Sequence, residues 1–372
     1  MTSLAYLALK ERIQHDGPLS FSEFFTQALY HPTLGYYAQD TERQGSTGDY
    51  ITAPTLGLLF SYTIARFLST HLRSHSDWQV AEIGPGTGAL AKKVVYALSE
   101  LGITLTKYYL VEPLAAPKAR LSANLTHDTP TTFEVVDSLP DAFSGVVLVN
   151  EVIDALPVDL LYADKSKKIS EMLVDVHDHQ LVFSQASPRP NLLDAFHSRS
   201  IPLYPGYRYE INTSAYQWLA DIQKRLHSGH ILLMDYGYHR SHYYHREREL
   251  GTLTCFHQHS AHSNPLRNPG HDDISVHADF TYLAESACAL DLHVSGFFSQ
   301  APFLLSQGIA DVYQVIRDRL SDIDKAKLFG EMQTLMHPAQ MGETMKFMLL
   351  STKRLRLPPS LQSIDRAHIL AS

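Results

Sequence analysis

Cysteine is scarce in this 372-residue chain, where only Cys255 and Cys288 occur. That excludes a disulfide-rich scaffold and a zinc site built from cysteines. Positive charge is not in excess either: 31 Lys and Arg stand against 39 Asp and Glu, a net charge of −8. Non-specific nucleic-acid binding needs a basic surface, so no nucleic-acid partner is expected. No apolar run approaches the roughly 18 residues of a membrane span, so no membrane insertion is expected. The segment Met1 to Asp16 holds Glu11 and Asp16 and no long apolar stretch. It reads as neither a signal peptide nor an acid-poor transit peptide, and a cytoplasmic location is the expectation. Repeats and low-complexity tracts are also missing. What remains, 44% hydrophobic and 19% charged, is an ordinary globular composition with length for a large core plus an insertion.

The periodicities predict an α/β fold with a mostly parallel sheet covered on both faces. Residues 1–75 read as an N-terminal helical cover, in which Leu56, Leu59, Phe60, Ile64, Phe67 and Leu68 share a helical face. Strands are expected at Trp78 to Ile83, Lys107 to Val111, Phe133 to Val136 and Val146 to Val149. Helices from Ala89 and from Ala115 separate the first three, and residues 76–160 form the first part of the core. Residues 161–210 read as an insertion, with a hairpin about Asp178-His179 and then irregular chain marked by Pro188, Pro190, Pro202 and Pro205. The rest of the core, 211–372, holds a fifth strand at Ile231 to Met234, a polar loop at 238–273, and C-terminal helices. Phe347 to Leu350 reads as a last edge strand. The insertion and the polar loop flank the fifth strand, so they are expected to shape a substrate channel.

The strongest local signal is Glu82-Ile83-Gly84-Pro85-Gly86-Thr87-Gly88 at the end of the first predicted strand. Glycines there permit positive φ and close approach of a ligand to the backbone. The following helix turns its unpaired N–H groups toward that ligand. The spacing of Gly84, Gly86 and Gly88 is G-x-G-x-G, unlike the dinucleotide fingerprint or the P-loop. It resembles the S-adenosylmethionine loop of Rossmann-like methyltransferases. Glu112 ends the second strand, where a carboxylate can accept from both ribose hydroxyls. Asp137 follows the third, where an adenine would lie, and Glu82 can reach a cofactor directly or through water. Taken singly, each of these acids also reads as a solvated loop residue.

After the fourth strand comes Asn150-Glu151-Val152-Ile153-Asp154-Ala155-Leu156-Pro157. Glu151 and Asp154 are three apart, which places them on one face of a helix or helical turn. Asn150 is grouped with the cofactor residues, its plainer role being to cap that turn. Two carboxylates at the end of such a strand suit a planar cation, because a guanidinium is held bidentately. Acids favoured by a helix dipole are the plainer account. Histidine is abundant, at 21 residues, with His257, His259 and His262 in one loop. They lack a compact ligand pattern, and no metal is expected.

Together these residues resemble the MidA family of S-adenosylmethionine-dependent methyltransferases, related to the mitochondrial complex I assembly factor that methylates an arginine. The likeness extends over Leu29 to Tyr37, Gly48 to Pro54, Asp235 to Tyr238, Gly251 to Leu253 and His277 to Phe280, besides the motifs above. It departs at Thr55, where the family usually has an acid, and at His271 to Ile274. The resemblance implies a Rossmann-like class I methyltransferase fold with inserted substrate-side elements. It also implies S-adenosylmethionine as cofactor and a protein substrate, with a respiratory-complex subunit as the family's example. Gly48 and Asp49 would lie close to the cofactor, while Tyr236, Tyr238 and His277 would face the substrate. Glu151 and Asp154 would be catalytic, either as base or only as substrate positioners. A methyltransferase acting on a small molecule or on a non-arginine residue, and a catalytically weak cofactor-binding assembly factor, remain open beside the arginine reading.

Overall fold

The computed structural model describes residues 3–39, 57–75, 77–125, 130–258 and 260–371. Ser3 caps the first helix, Leu4–Asp16, by accepting from the Tyr6 N–H at 3.1 Å, and Gly17 ends it at φ 91°. Strand β1 (Leu19–Ser20) leads into helix Phe21–Tyr30, where Ser20 and Glu23 form a reciprocal capping box. Helix Leu59–Ser74 buries Leu59, Phe60, Ile64, Phe67 and Leu68, the face expected from their spacing.

The next four strands are β2 (Gln79–Ile83), β3 (Lys107–Val111), β4 (Thr132–Val136) and β5 (Phe143–Asn150). Helices Ala89–Glu100 and Ala115–Asn124 make the first two crossovers. The insertion supplies β6 (Val158–Ala163), β7 (Ile169–His177), β8 (Gln180–Ala186) and β9 (Tyr207–Asn212). The long strand β10 (Leu226–Tyr238) follows. Then come β11 (Thr254–His257), β12 (Ser260–His262), β13 (Asp273–Ser275), β14 (Ala278–Asp279), β15 (His293–Ser299) and β16 (Met345–Ser351).

The central sheet has the order β15-β16-β10-β5-β2-β3-β4, with β14 added beside the end of β10. Strands β4, β3, β2, β5 and β10 run parallel, and β16 is antiparallel to both its neighbours. The last strand is therefore not the edge strand expected from the sequence. It is wedged between β10 and β15, and every residue from Met345 to Ser351 is buried. An apolar run alone does not distinguish an edge from a doubly covered interior strand.

The hairpin about Asp178-His179 is present, with left-handed φ of 46° and 60° at those residues, as a tight two-residue turn requires. The proline-marked stretch is more regular than expected. Pro190 opens helix Pro190–Ser198, where a missing N–H costs nothing, and β9 follows. The region read as a polar loop, 238–273, contains helix Arg240–Tyr243 and the hairpin β11–β12, anchored by buried Tyr243, Tyr244, Leu253 and Cys255. Those anchors pack in one core with Phe21, Phe24 and Phe25 of the N-terminal helices and Leu160, Tyr209 and Ile211 of the insertion. Two further cores cover the two faces of the central sheet.

Candidate active site

Parallel pairing brings the carboxyl ends of β3, β2, β5 and β10 level. Val111 pairs with Ile83, Ile83 with Val149, and Asn150 with Met234. Gly84, Gly86 and Gly88 follow β2 with φ of 66°, 54° and 76°, the left-handed region that disfavours a Cβ. A Cβ at Gly84 would lie 2.8 Å from Val152 Cγ2. The glycine turn thus touches the segment that carries Glu151 and Asp154. Gly88 then starts helix Ala89–Glu100 with no side-chain cap, so its first N–H groups remain available to a ligand.

Glu112 lies just beyond β3, its N–H bonded to Val136 O and its carboxylate accepting from Leu114 N at 2.9 Å. Burial raises its pKa, opposed by the Leu114 N–H and by Arg120. Glu82 is only 3% exposed and accepts from the Tyr108 hydroxyl at 3.0 Å. Burial pushes it up to about 8, against the pull of that hydrogen bond. Asp137 is exposed and paired with Lys118 at 2.8 Å. Asn150 ends β5, donates to Glu151 Oε1 at 3.2 Å, and keeps a buried Oδ1 with no partner among the described residues. Gly48 and Asp49, read from the sequence as cofactor neighbours, lie outside the described residues.

Glu151 itself takes φ 51°, and its N–H bonds to Met234 O at 2.9 Å. The chain then closes a turn, with Ala155 N bonded to Val152 O and Leu156 N to Ile153 O. The acids therefore sit on a turn, the shorter of the two forms expected. Burial pushes Asp154 up to about 6, with the Ser275 hydroxyl and backbone N–H groups opposing. The Val276 N–H donates to the Asp154 carbonyl at 2.8 Å, which joins the turn to the end of β13.

Aromatic side chains surround this turn. The Tyr30 hydroxyl donates to Ala155 O at 2.7 Å, and its ring lies 5.4 Å from that of Tyr37. Tyr37 donates to Asp273 at 3.3 Å, and Arg120 donates to Tyr37 O at 2.9 Å. Burial raises the Tyr30 pKa, with Asp154, Asp273 and Glu112 adding to it. On the other side, His277 stacks with Tyr236 at 6.1 Å and tilts against Tyr238 at 5.3 Å. Arg248 lies over Tyr238 at 3.8 Å. Burial, then Arg248, pushes His277 down to about 4, which leaves its ring neutral near pH 7. Its Nδ1 is buried and has no partner among the described residues.

Tyr30, Asp273 and Ser275 were not singled out from the sequence, nor was Asp235 given a role. Asp235 carried a signal, as an acid directly after the apolar run of the fifth strand. The histidine loop serves a local purpose. His257 Nδ1 and His262 Nε2 each lie 3.0 Å from an oxygen of buried Asp272, close enough for ion pairing though not aligned for hydrogen bonds.

These residues fit S-adenosylmethionine. Left-handed glycines open the backbone, Glu112 offers a carboxylate for ribose, and Asn150 Oδ1 is a buried acceptor in need of a donor. Residues 62–298 match the family described as "Putative S-adenosyl-L-methionine-dependent methyltransferase". A Burkholderia thailandensis protein solved with S-adenosyl-homocysteine bound superposes with a TM-score of 0.89 at 31% identity, covering 98% of this chain and 96% of that one. Among curated relatives, "Protein arginine methyltransferase NDUFAF7, mitochondrial" of Danio rerio is 28% identical, covering 93% of this chain and 87% of its own length. The Mus musculus protein of the same name is 27% identical, covering 92% and 83%. Both relatives are named as mitochondrial, which overturns the expected cytoplasmic location. Among the described residues no helix is long and apolar enough to cross a membrane. The fold is that of class I methyltransferases, and the chain belongs to this family of S-adenosylmethionine-dependent methyltransferases.

Proposed function

We propose that the enzyme methylates an arginine side chain of a protein, with Glu151 and Asp154 receiving the guanidinium. The observation that carries this reading is the contact of the glycine turn with the acid turn through Val152, beside the Asp154 carboxyl, whose pKa burial pushes up to about 6. The curated relatives quoted above are named as protein arginine methyltransferases, which supports the same acceptor.

When bound, S-adenosylmethionine supplies an electrophilic methyl group on its sulfonium. The residues of the chain do the rest. Gly84, Gly86, Gly88, Glu112 and Asn150 hold the nucleoside end, with Glu82 buried beneath them. Asp137 borders the adenine side. A guanidinium keeps its proton in water, since its pKa exceeds 12. The nitrogen that forms the new C–N bond must therefore release a proton as the S–C bond breaks. Glu151 fixes the cation bidentately, and Asp154 takes the proton, its raised pKa making it a better base than a solvated carboxylate. Tyr236, Tyr238 and His277 wall the acceptor side, and the inserted segments 160–210 and 238–273 shape the channel to it. The family resemblance makes a respiratory-complex subunit the first acceptor to try.

The test is transfer of label from methyl-labelled S-adenosylmethionine to proteins of cells lacking this enzyme, with the modified residue located by mass spectrometry. Label on arginine, lost with Asp154→Asn, is the expected result. Label confined to other residues or to small molecules overturns the reading, as does tight cofactor binding with no transfer at all.

A further inference from the structure

Asp235 follows Met234, the residue of β10 that pairs with the end of β5. Its side chain is fully buried. One carboxylate oxygen, Oδ2, accepts three successive backbone N–H groups: Val152 at 3.1 Å, Ile153 at 2.8 Å and Asp154 at 3.3 Å. The other, Oδ1, accepts from Tyr236 N at 2.8 Å. The three N–H groups belong to the segment that runs from Glu151 to Asp154. That segment begins with a non-glycine residue at φ 51°, a conformation that persists only where the surroundings impose it. The Glu151 N–H to Met234 O bond fixes the entry to the turn, and Asp235 fixes its body.

We propose that Asp235 is a positioning residue for methyl transfer, whose carboxylate holds the Val152–Asp154 turn so that Glu151 and Asp154 are presented together to the acceptor. The inference rests on reading that turn as the acceptor site. Ordinary packing does not account for the choice of residue. A buried carboxyl is costly to desolvate, and the acids it faces make it costlier. Burial, then Asp154 and Glu151, raises the pKa of Asp235, while the Ile153 and Asp154 N–H groups oppose the rise. A neutral side chain would avoid that cost, but none of similar size accepts N–H groups on two sides. Asparagine keeps one oxygen and would set its NH2 against the Tyr236 N–H, donor facing donor.

The experiment compares wild type, Asp235→Asn, Asp154→Asn and the double variant. It uses the label-transfer assay above, S-adenosyl-homocysteine calorimetry, and amide exchange at residues 152–154. Asp235→Asn should bind S-adenosyl-homocysteine within about threefold of wild type, yet lose about 100-fold in turnover at saturating cofactor, the scale of a 1 Å misplacement. The three amides should exchange slowly in wild type and faster in the variant. Because Asp235 acts through the turn, the double variant should lose clearly less than the two single losses combined, the remainder being the placement of Glu151, whereas a general structural lesion adds its full loss to that of Asp154. Retained turnover in Asp235→Asn, additive losses, or fast exchange of these amides in wild type would each overturn the proposal. Should Asp235→Asn fail to fold, the wild-type exchange pattern still decides it. Wild type labelling no arginine overturns the acceptor reading instead, while the exchange and calorimetry arms continue to test the hold on the turn.

Discussion

The two halves of the site lie side by side and are built differently. On the cofactor side, Gly84, Gly86 and Gly88 come from one short stretch, and their function needs only positive φ and missing side chains. On the acceptor side, the turn from Glu151 to Leu156 is held by Tyr30 at the end of helix Phe21–Tyr30, Asp235 from β10, and Ser275 and Val276 at the end of β13. Buried carboxylates there accept backbone N–H groups and fix segments remote in sequence. Glu210 of β9 does the same for Thr252 and Leu253, and Thr252 Oγ1 in turn accepts the His277 N–H at 3.0 Å. The glycine turn is written locally and asks little of its surroundings. The acid turn is assembled at long range and gathers acidic side chains where we propose the guanidinium is received.

The largest effect should fall on chemistry alone. Asp154→Asn should lower methyl transfer by about 10²–10⁴-fold, the range for loss of a general base. S-adenosyl-homocysteine affinity should stay near wild type. Calorimetry and single-turnover labelling at saturating cofactor measure the two separately. Weaker cofactor binding with unchanged turnover would place Asp154 on the other half of the site.

Next comes a test of the cofactor side's own buried acid. Glu82 has a folded pKa of about 8, against 4.5 for the free side chain. A raised carboxyl contributes its full stability below the unfolded value, and that contribution is lost as pH rises through the folded value. Ligand-free protein should therefore lose stability between pH 4.5 and 8. A tenfold change in proton affinity corresponds to about 1.4 kcal/mol. Glu82→Gln should flatten that slope and leave the variant the more stable protein at the alkaline end. Parallel slopes in denaturant titrations across this window would show that Glu82 is not the group responsible.

A smaller loss is expected at the glycine turn. Gly86 holds φ 54°, which costs an L-residue about 1–2 kcal/mol, and a valine would also fill the space left for the ligand. The strain should lower the melting temperature, while the steric block should weaken S-adenosyl-homocysteine by about tenfold, or about 1.4 kcal/mol. A variant that melts and binds as wild type does would remove this turn from the site.

The same contrast decides how much could be read from the sequence. Strands β2, β3 and β5 were legible because parallel strands buried on both faces are apolar runs; edge strand β4, which has no fully buried residue, was legible from the β-formers Phe133, Val135 and Val136. The glycine turn was legible because its conformational demand falls on adjacent residues. Glu151 and Asp154 were visible as an acidic pair after a strand, but what shapes their turn was not. Asp235 meets Val152 to Asp154 only because β10 pairs beside β5 across the whole insertion. The wedge of β16 between β10 and β15 was hidden for the same reason, since pairing partners are a property of the sheet and not of the strand. In 238–273, polar residues masked Tyr243, Tyr244, Leu253 and Cys255, whose irregular spacing follows neither helix nor strand periodicity.

The smallest effect should separate two acids that look equivalent in sequence. Glu112 and Asp137 both follow parallel strands on the cofactor side, β3 and β4. Glu112 is partly buried, tied to Leu114 N, and raised by desolvation. A ribose contact made there gains from the low local dielectric, and charge-assisted hydrogen bonds contribute about 1.5–3 kcal/mol. Asp137 is solvent-exposed and already engaged with Lys118 at 2.8 Å. Exposed pairs of this kind contribute about 0–1 kcal/mol. Glu112→Gln should therefore weaken S-adenosyl-homocysteine about tenfold or more, taking the lower end of that hydrogen-bond range. Asp137→Asn should change it by less than about threefold, because water and Lys118 already satisfy its carboxylate. A tenfold loss at Asp137 would mean that the carboxylate leaves Lys118 to meet the adenine, and the cofactor side would then also be assembled on binding.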